Sequence, residues 1–300
     1  MRIGIVGIGS WGRRVAREYL SLQDEGFISV ALCDIDESKL IAFKEKTECY
    51  NSFDKFLCNV DALHICVPNN LHFELAKKAL ISGKHVLIEK PMTTNSEDAY
   101  KLVELASEKG VILQVGHIFR FANVIRKAKE LFQSGYFGRV FYFNMSWTHL
   151  YPPVENLDVV WDLLPHPLDI LNFITGEWPY EFVGMGRAFR REKWDEVAIL
   201  QAAYRDFFAN FHLSWLTPIR RRTMEIVGSK RTGLIECVDQ QICVYEGGDS
   251  YSLDVEPNNT IREEALNFIK SIETGKSCFN SAIIGARVVD LIEKAIKSLR

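Results

Sequence analysis

The sequence predicts an α/β protein in two parts: a doubly wound parallel sheet, then an α/β domain built on a mostly antiparallel sheet. Three observations carry this. Apolar runs and helix-spaced segments alternate through residues 1–118. The strand-like runs there are apolar throughout, which marks a parallel sheet covered on both faces. Beyond residue 118, short β-rich runs separated by turn signals take over. The chain is 300 residues long, a length that fits two domains, placed at 1–118 and 119–300.

In order, residues 2–7 read as a strand, 11–23 as a helix with Val15, Tyr19 and Leu22 on one face, and 27–33 as a strand. Residues 38–46 have helical spacing. A strand follows at 62–67, a helix at 71–82 closed by Gly83, and a strand at 85–88. Asn95 caps a helix to Lys109 with Gly110 after it, and 111–115 is a further strand. In the second part, 123–134 is a helix, 140–147 an aromatic-rich strand and 162–175 a helix. Strands are expected at 181–188, 197–204, 207–215, 222–228, 233–238 and 241–245, and closing helices at 262–274 and 282–299.

Composition narrows the function. Hydrophobic residues make up 47% and charged residues 25%, and the net charge is −3, so no general field draws nucleic acid or an anionic membrane. No apolar run reaches the roughly 20 residues that span a bilayer. The first residues enter a strand pattern directly, without the features of a secretory leader, so a cytoplasmic protein is expected. The seven cysteines, at 33, 49, 58, 66, 237, 243 and 278, form no CxxC pair. Reduced structural thiols are expected, not disulfides or a zinc site, and no bound metal.

Glu89-Lys90-Pro91 closes the apolar run Val86-Leu87-Ile88. A lysine is a costly end for a buried strand, and the following proline cannot donate to a ladder. The pair reads either as a strand exit or as an amine placed for chemistry, with the X–Pro bond free to be cis. Gly7-Ile8-Gly9-Ser10-Trp11-Gly12 fits G-x-G-x-x-G after a first strand and at a helix start. Glycines there allow a tight turn and close backbone approach to a pyrophosphate, and the helix start offers N–H groups. Asp34 ends the next strand, where an acid meets a ribose 2′-hydroxyl and repels a 2′-phosphate. NAD is therefore the expected cofactor and NADP the less favoured one.

Pro68-Asn69-Asn70-Leu71-His72 follows another strand end, where ligands bind in such sheets, although Asn70 can equally cap a helix. In Trp161-Asp162-Leu163-Leu164-Pro165-His166-Pro167-Leu168-Asp169, Asp162 and His166 are four apart and share a helix face. The two prolines fit only a first turn or a break. His117 and Arg120 are lesser candidates, for the nicotinamide side and for a substrate oxygen or carboxylate. Arg220-Arg221-Arg222 reads as a solvated turn, with phosphate binding as the alternative. Tyr142 and Trp147 read as sheet packing, and His64 as a core histidine.

These motifs, in this order, resemble the Gfo/Idh/MocA oxidoreductases, named for glucose–fructose oxidoreductase and inositol dehydrogenase. The resemblance spans the chain. It implies a Rossmann domain followed by an α/β domain with an open, mostly antiparallel sheet that commonly forms the oligomer interface, hence a homodimer or homotetramer. It implies that Lys90 touches the nicotinamide ribose and the reacting hydroxyl, that Asp162 positions substrate or Lys90, and that His166 is the acid/base. Gly7, Ile8, Gly9, Ser10, Trp11, Gly12, Asp34, Val67, Pro68, Asn69, His72, Glu89, Lys90 and His117 are the expected cofactor residues. Lys90, Arg120, Asp162, His166 and Asp169 are the expected substrate residues. The stretch 161–166 looks most like the branch acting on nucleotide-linked amino sugars. Many relatives have glycine where this chain has Leu164, and threonine where it has Val67.

The implied reaction is hydride transfer between a nicotinamide and a secondary alcohol or ketone of a sugar, polyol or nucleotide sugar. A neutral His166 can take the hydroxyl proton, and Lys90 can stabilise the alkoxide while its charge lowers the His166 pKa. Two other readings remain: a silent dinucleotide sensor of the same fold, and an aldose–aldose oxidoreductase that never releases its cofactor.

Overall fold

A computed structural model describes residues 1–152, 157–190, 192–276 and 279–299. The chain forms two compact units: Met1–Ile118 with Thr260–Val289, and Phe119–Asn259 with Asp290–Arg300. The second unit is discontinuous in sequence, because residues 260–289 belong to the first.

In the first unit, β1 (Arg2–Val6) leads through α1 (Ser10–Asp24) to β2 (Ser29–Cys33). β3 (Glu48–Tyr50) and α2 (Phe53–Leu57) precede β4 (Ala62–Ile65), α3 (His72–Ile81), β5 (His85–Ile88), α4 (Ser96–Lys109) and β6 (Leu113–Val115). The six strands form one sheet in the order β3-β2-β1-β4-β5-β6, with every pairing parallel. β1, β4 and β5 are almost wholly buried, as expected for strands covered on both faces. The Asn95 side chain accepts from the Asp98 N–H at 2.8 Å, and Gly110 ends α4 in the left-handed region at φ 64°.

The segment 38–46 is two short 3-10 turns, Glu37–Lys39 and Ile41–Phe43. Its buried apolar anchors are Leu40 and Phe43, three apart, which suits a 3-10 turn.

In the second unit, α5 (Asn123–Gln133) leads to β7 (Val140–Leu150), then α6 (Val159–Leu163) and α7 (Pro165–Thr175). Seven strands follow: β8 (Glu181–Arg187), β9 (Val197–Ala203), β10 (Phe208–Ser214), β11 (Leu216–Gly228), β12 (Thr232–Glu236), β13 (Gln241–Glu246) and β14 (Asp249–Leu253). They form an eight-stranded sheet with β7, ordered β14-β13-β12-β11-β7-β10-β9-β8. Only β7–β10 is parallel. Arg220-Arg221-Arg222 lies inside β11, not in a turn, beside an irregular stretch where pairing to β7 shifts between Leu216 and Arg221.

One face of this sheet is core: Phe143, Met145, Trp147, Phe211, Leu213, Met224 and Ile226 are buried. The other face carries exposed Val183, Met185, Ile199 and Phe208. Trp147 packs in the sheet core, and Tyr142 stacks on Phe208 with centroids 5.2 Å apart.

The chain ends with α8 (Thr260–Thr274) and α9 (Ala282–Lys297). Ala265, Phe268 and Ile269 of α8 join Tyr19, Leu22, Ile3 and Ile5 in the core of the first unit. Among the described residues no helix is long and apolar enough to cross a membrane. The six described cysteines are free thiols, and Cys278 lies outside the described residues.

Candidate active site

The strand order of the first sheet reverses between β1 and β4, so a crevice opens beyond their carboxyl ends. Gly7 to Gly12 occupies the exit of β1. Gly7 has φ +88°, and a Cβ there would lie 2.8 Å from the Cys66 carbonyl group. A Cβ on Gly12 would lie 1.8 Å from the Gly7 oxygen, so glycine alone lets the helix start meet the turn. Gly9 is different. A Cβ there would meet nothing within 4 Å, which leaves its backbone open to a ligand. No side chain caps α1, so its first N–H groups are available to an anion.

Asp34, buried at the end of β2, accepts from the Ile8 N–H at 2.7 Å and from the Asp36 N–H at 2.9 Å. It thereby braces the glycine turn while standing where a ribose would be read. Lys39 Nζ lies 3.5 Å from its Oδ1. Lys39 reaches Asp34 across a 3-10 turn, a partner that no pattern in the sequence announced.

The loop after β4 is tied to the loop after β5 through His72. This ring is 1% exposed and faces the Val67 and Pro91 carbonyl oxygens, each at 2.9 Å. Burial lowers its pKa, against the two carbonyl contacts and the Glu89 charge. His72, expected among the cofactor residues, thus spends its ring nitrogens on joining two loops. Pro68, Asn69 and Asn70 remain on the outer side of that joint, none of them buried.

Lys90 is the second residue after β5, and the Lys90–Pro91 peptide is cis. Glu89 points back into the unit. Its Oε1 accepts from Trp11 Nε1 at 2.5 Å and meets His64 Nε2 at 3.2 Å. Burial raises the Glu89 pKa, but the His64 contact, the Trp11 hydrogen bond and the Lys90 charge outweigh it, leaving it below the ordinary carboxylate range. Gly116, after β6, makes room for this carboxylate: a Cβ there would lie 2.9 Å from Glu89 Oε2. His117 is buried beside it.

His64, Cys66 and Glu89 offer three ligand atoms within 4.8 Å of one another. The Glu89 oxygen is already engaged by Trp11 and His64, and burial pushes the Cys66 thiol well up. A protonated thiol and an engaged carboxylate suit a hydrogen-bonded core better than a cation.

In the second unit, the prolines do two things. α6 stops at Leu163, and Pro165 opens α7 at its first position, where its missing N–H costs nothing. Leu164 keeps helical angles, φ −66° and ψ −28°, so the two helices continue one turn. Residues 163–165 and 167–171 are buried, whereas Asp162 and His166 are only partly so. Phe119 packs edge-on to the His166 ring at 5.0 Å. Trp215 Nε1 donates to Asp162 Oδ2 at 3.1 Å, a partner that no sequence pattern announced.

Arg120 and Asp169, expected at the substrate, meet each other instead. Arg120 Nε donates to Asp169 Oδ1 at 2.6 Å, its Nη2 donates to Asn172 Oδ1 at 2.9 Å, and its guanidinium lies over the Phe173 ring. Both residues are buried, so this pair anchors α7. Residues 153–156, in the stretch between β7 and α6, lie outside the described residues.

The first unit is a nucleotide-binding α/β domain: its sheet order, glycine turn, ribose acid and open helix start fit the pyrophosphate and ribose of NAD. Residues 1–117 match the family described as "Oxidoreductase family, NAD-binding Rossmann fold", and residues 125–233 match the GFO/IDH/MocA C-terminal domain. The chain belongs to the Gfo/Idh/MocA oxidoreductases and is an NAD-dependent member of that family.

It is 26% identical over 300 residues to UDP-N-acetylglucosamine 3-dehydrogenase from Acidithiobacillus ferrooxidans, covering 96% of this chain and 94% of the relative. It is 27% identical over 323 residues to myo-inositol 2-dehydrogenase from Thermotoga maritima, covering 100% and 96%. The solved structure of the Acidithiobacillus ferrooxidans enzyme superposes with a TM-score of 0.87 at 26% identity, covering 100% of this chain and 97% of that one.

Proposed function

We propose that this enzyme oxidises a secondary alcohol of a sugar or nucleotide sugar, or reduces the matching ketone, with Lys90, Asp162 and His166 working on one hydroxyl. The observation that carries this reading is His166. In a segment that is otherwise buried, it is the histidine left accessible, and it stands one helical turn after Asp162. A hydride acceptor or donor is supplied by the nicotinamide when NAD is bound.

The residues supply the rest. His166 takes the hydroxyl proton, since hydride leaves carbon readily only as that proton goes. Lys90 donates to the oxygen as negative charge develops, and its cationic form stabilises the alkoxide. Asp162, fixed by Trp215, holds the substrate or the lysine. Glu89 does not compete for the proton, because its pair with Trp11 and His64 keeps it ionised and turned inward. The glycine turn and the first N–H groups of α1 hold the pyrophosphate, and Asp34 takes the ribose hydroxyls. The backbone of 67–69 and His117 line the nicotinamide side.

The full-length likeness to one dehydrogenase of a nucleotide sugar and one of a polyol supports this substrate class. The exposed apolar residues on the open sheet face support a homodimer or homotetramer through that face. The test is NADH formation over a panel of sugars, polyols and nucleotide sugars. Turnover by the wild type, lost in both Lys90→Ala and His166→Ala with NAD binding retained in the latter, is the expected result. No NADH from any member of the panel would favour a silent dinucleotide sensor.

A further inference from the structure

We propose that Arg222 receives an anionic group carried by the substrate, a phosphate or a carboxylate, so that the enzyme prefers a charged sugar to a neutral polyol. This rests on the dehydrogenase reading above and narrows its substrate.

Arg222 lies on β11 opposite Trp147 of β7. The next residues along that face, Met224 and Ile226, are buried opposite Met145 and Phe143, so Arg222 belongs to the covered face of the sheet. It is a cation where apolar residues would continue the row. Its Nη1 donates to the Thr148 oxygen at 3.0 Å and to the Arg221 oxygen at 2.7 Å, and its Nη2 lies 3.0 Å from His149 Nδ1. Those contacts use three of the five N–H donors of a guanidinium. Among the described residues, no carboxylate comes within the 4.0 Å of an ion pair with it.

A partly buried guanidinium that meets carbonyls and an imidazole, but no anion, is unusual, because taking a cation out of water is costly unless an opposite charge answers it. Burial and the neighbouring Arg220 lower its pKa to about 10, while Asp162 and Glu236 pull the other way. It therefore remains a cation at neutral pH, under strain from a second cation. Glu236 does not relieve it well, since burial pushes that carboxyl up.

The surroundings suit a charged sugar. Asp162, proposed to hold the reacting part of the substrate, is linked to Arg222 by a run of contacts through Trp215, Tyr151 and His149. Trp215, which fixes Asp162, packs beside the exposed Tyr151 with centroids 6.0 Å apart, and Tyr151 meets His149 edge-on at 5.3 Å. A guanidinium with two N–H donors left, beside exposed aromatic surface, suits recognition of phosphate or carboxylate.

The experiment compares wild type with Arg222→Met and Arg222→Lys, using UDP as a binding probe and UDP-N-acetylglucosamine, glucuronate and myo-inositol as substrates with NAD. The expected result is a ten- to hundredfold weaker UDP affinity, or a KM raised by that factor for the anionic sugar, in Arg222→Met. Arg222→Lys recovers part of the loss, and the KM for NAD stays within twofold. Loss of UDP binding identifies a diphosphate as the anion; a KM effect confined to glucuronate identifies a carboxylate. An equal effect on myo-inositol and on anionic sugars overturns the proposal, as does a wild type that prefers myo-inositol; neither outcome touches the dehydrogenase reading. If no sugar yields NADH, that reading fails, and titration with UDP and with glucuronate still decides: unchanged affinity for both in Arg222→Met overturns the anion site. Should Arg222→Met fail to fold, Arg222→Gln takes its place under the same criteria.

Discussion

The two units put their chemistry on different materials. In the first, the proposed chemistry rests largely on backbone: a glycine turn, an open helix start and strand ends, with Asp34 and Lys90 as the main side chains. In the second, it is carried by side chains on a buried helix pair and a sheet face, each aimed by a neighbour far off in sequence. Asp162, for one, is fixed by Trp215, 53 positions away. The difference teaches where specificity can change: backbone chemistry serves any dinucleotide, whereas side-chain chemistry must be built for one substrate.

The largest effects should come from removing the acid/base groups. Lys90→Ala and His166→Ala are each expected to lower kcat by about a hundred- to ten-thousandfold. Thermal unfolding should move little, because neither side chain is fully buried. If the contrast between the units holds, His166→Ala leaves NAD affinity intact, while Lys90→Ala weakens it; equal NAD affinity in both would break the contrast.

The glycines sharpen the same point. Gly12→Ala forces a Cβ onto the Gly7 oxygen and should destabilise the first unit by about 1–3 kcal/mol or more. Gly9→Ala has open space, so it should fold normally yet bind NAD about tenfold more weakly, or ~1.4 kcal/mol. Calorimetric titration separates them. Unchanged NAD affinity in Gly9→Ala would remove the glycine turn from the cofactor site.

In the second unit, Arg120→Met removes the cation paired with the buried Asp169 carboxylate and should cost about 3–5 kcal/mol in denaturant unfolding. Its effect on KM should be small, since the pair holds α7. A large rise in KM without loss of stability would return Arg120 to the substrate.

The smallest effect concerns pH. The folded pKa of His72 is depressed by burial, so below the unfolded value of about 6.5 the unfolded chain takes up the proton first. Stability is then lost as pH falls through that window. Glu89 is also depressed, and its contribution is lost only at lower pH, below about 4.3. His72→Gln should flatten the first slope and leave the second.

Much of the first unit was legible. Asn95 and Gly110 announce α4 because capping is a local matter, and Gly7 to Gly12 announces itself because only glycine fits. The failures are physical too. At 38–46, two anchors spaced by three residues support a 3-10 turn, which resembles a helix over so short a stretch. β3 is only three residues at a sheet edge, too short for a period. The pattern in α8 shows that one face is buried but not against which unit. Arg120 and Asp169 each looked available because sequence shows no partner for either. Arg222 looked solvated because a charge run usually is; its place in β11 is set by pairing with β7.

The most direct measurement is steady-state NADH formation with the best substrate of the panel, compared among wild type, Lys90→Ala and His166→Ala at equal NAD saturation. The account predicts a hundredfold or greater fall in kcat for each variant with the fold intact. Near-wild-type kcat in both would contradict it.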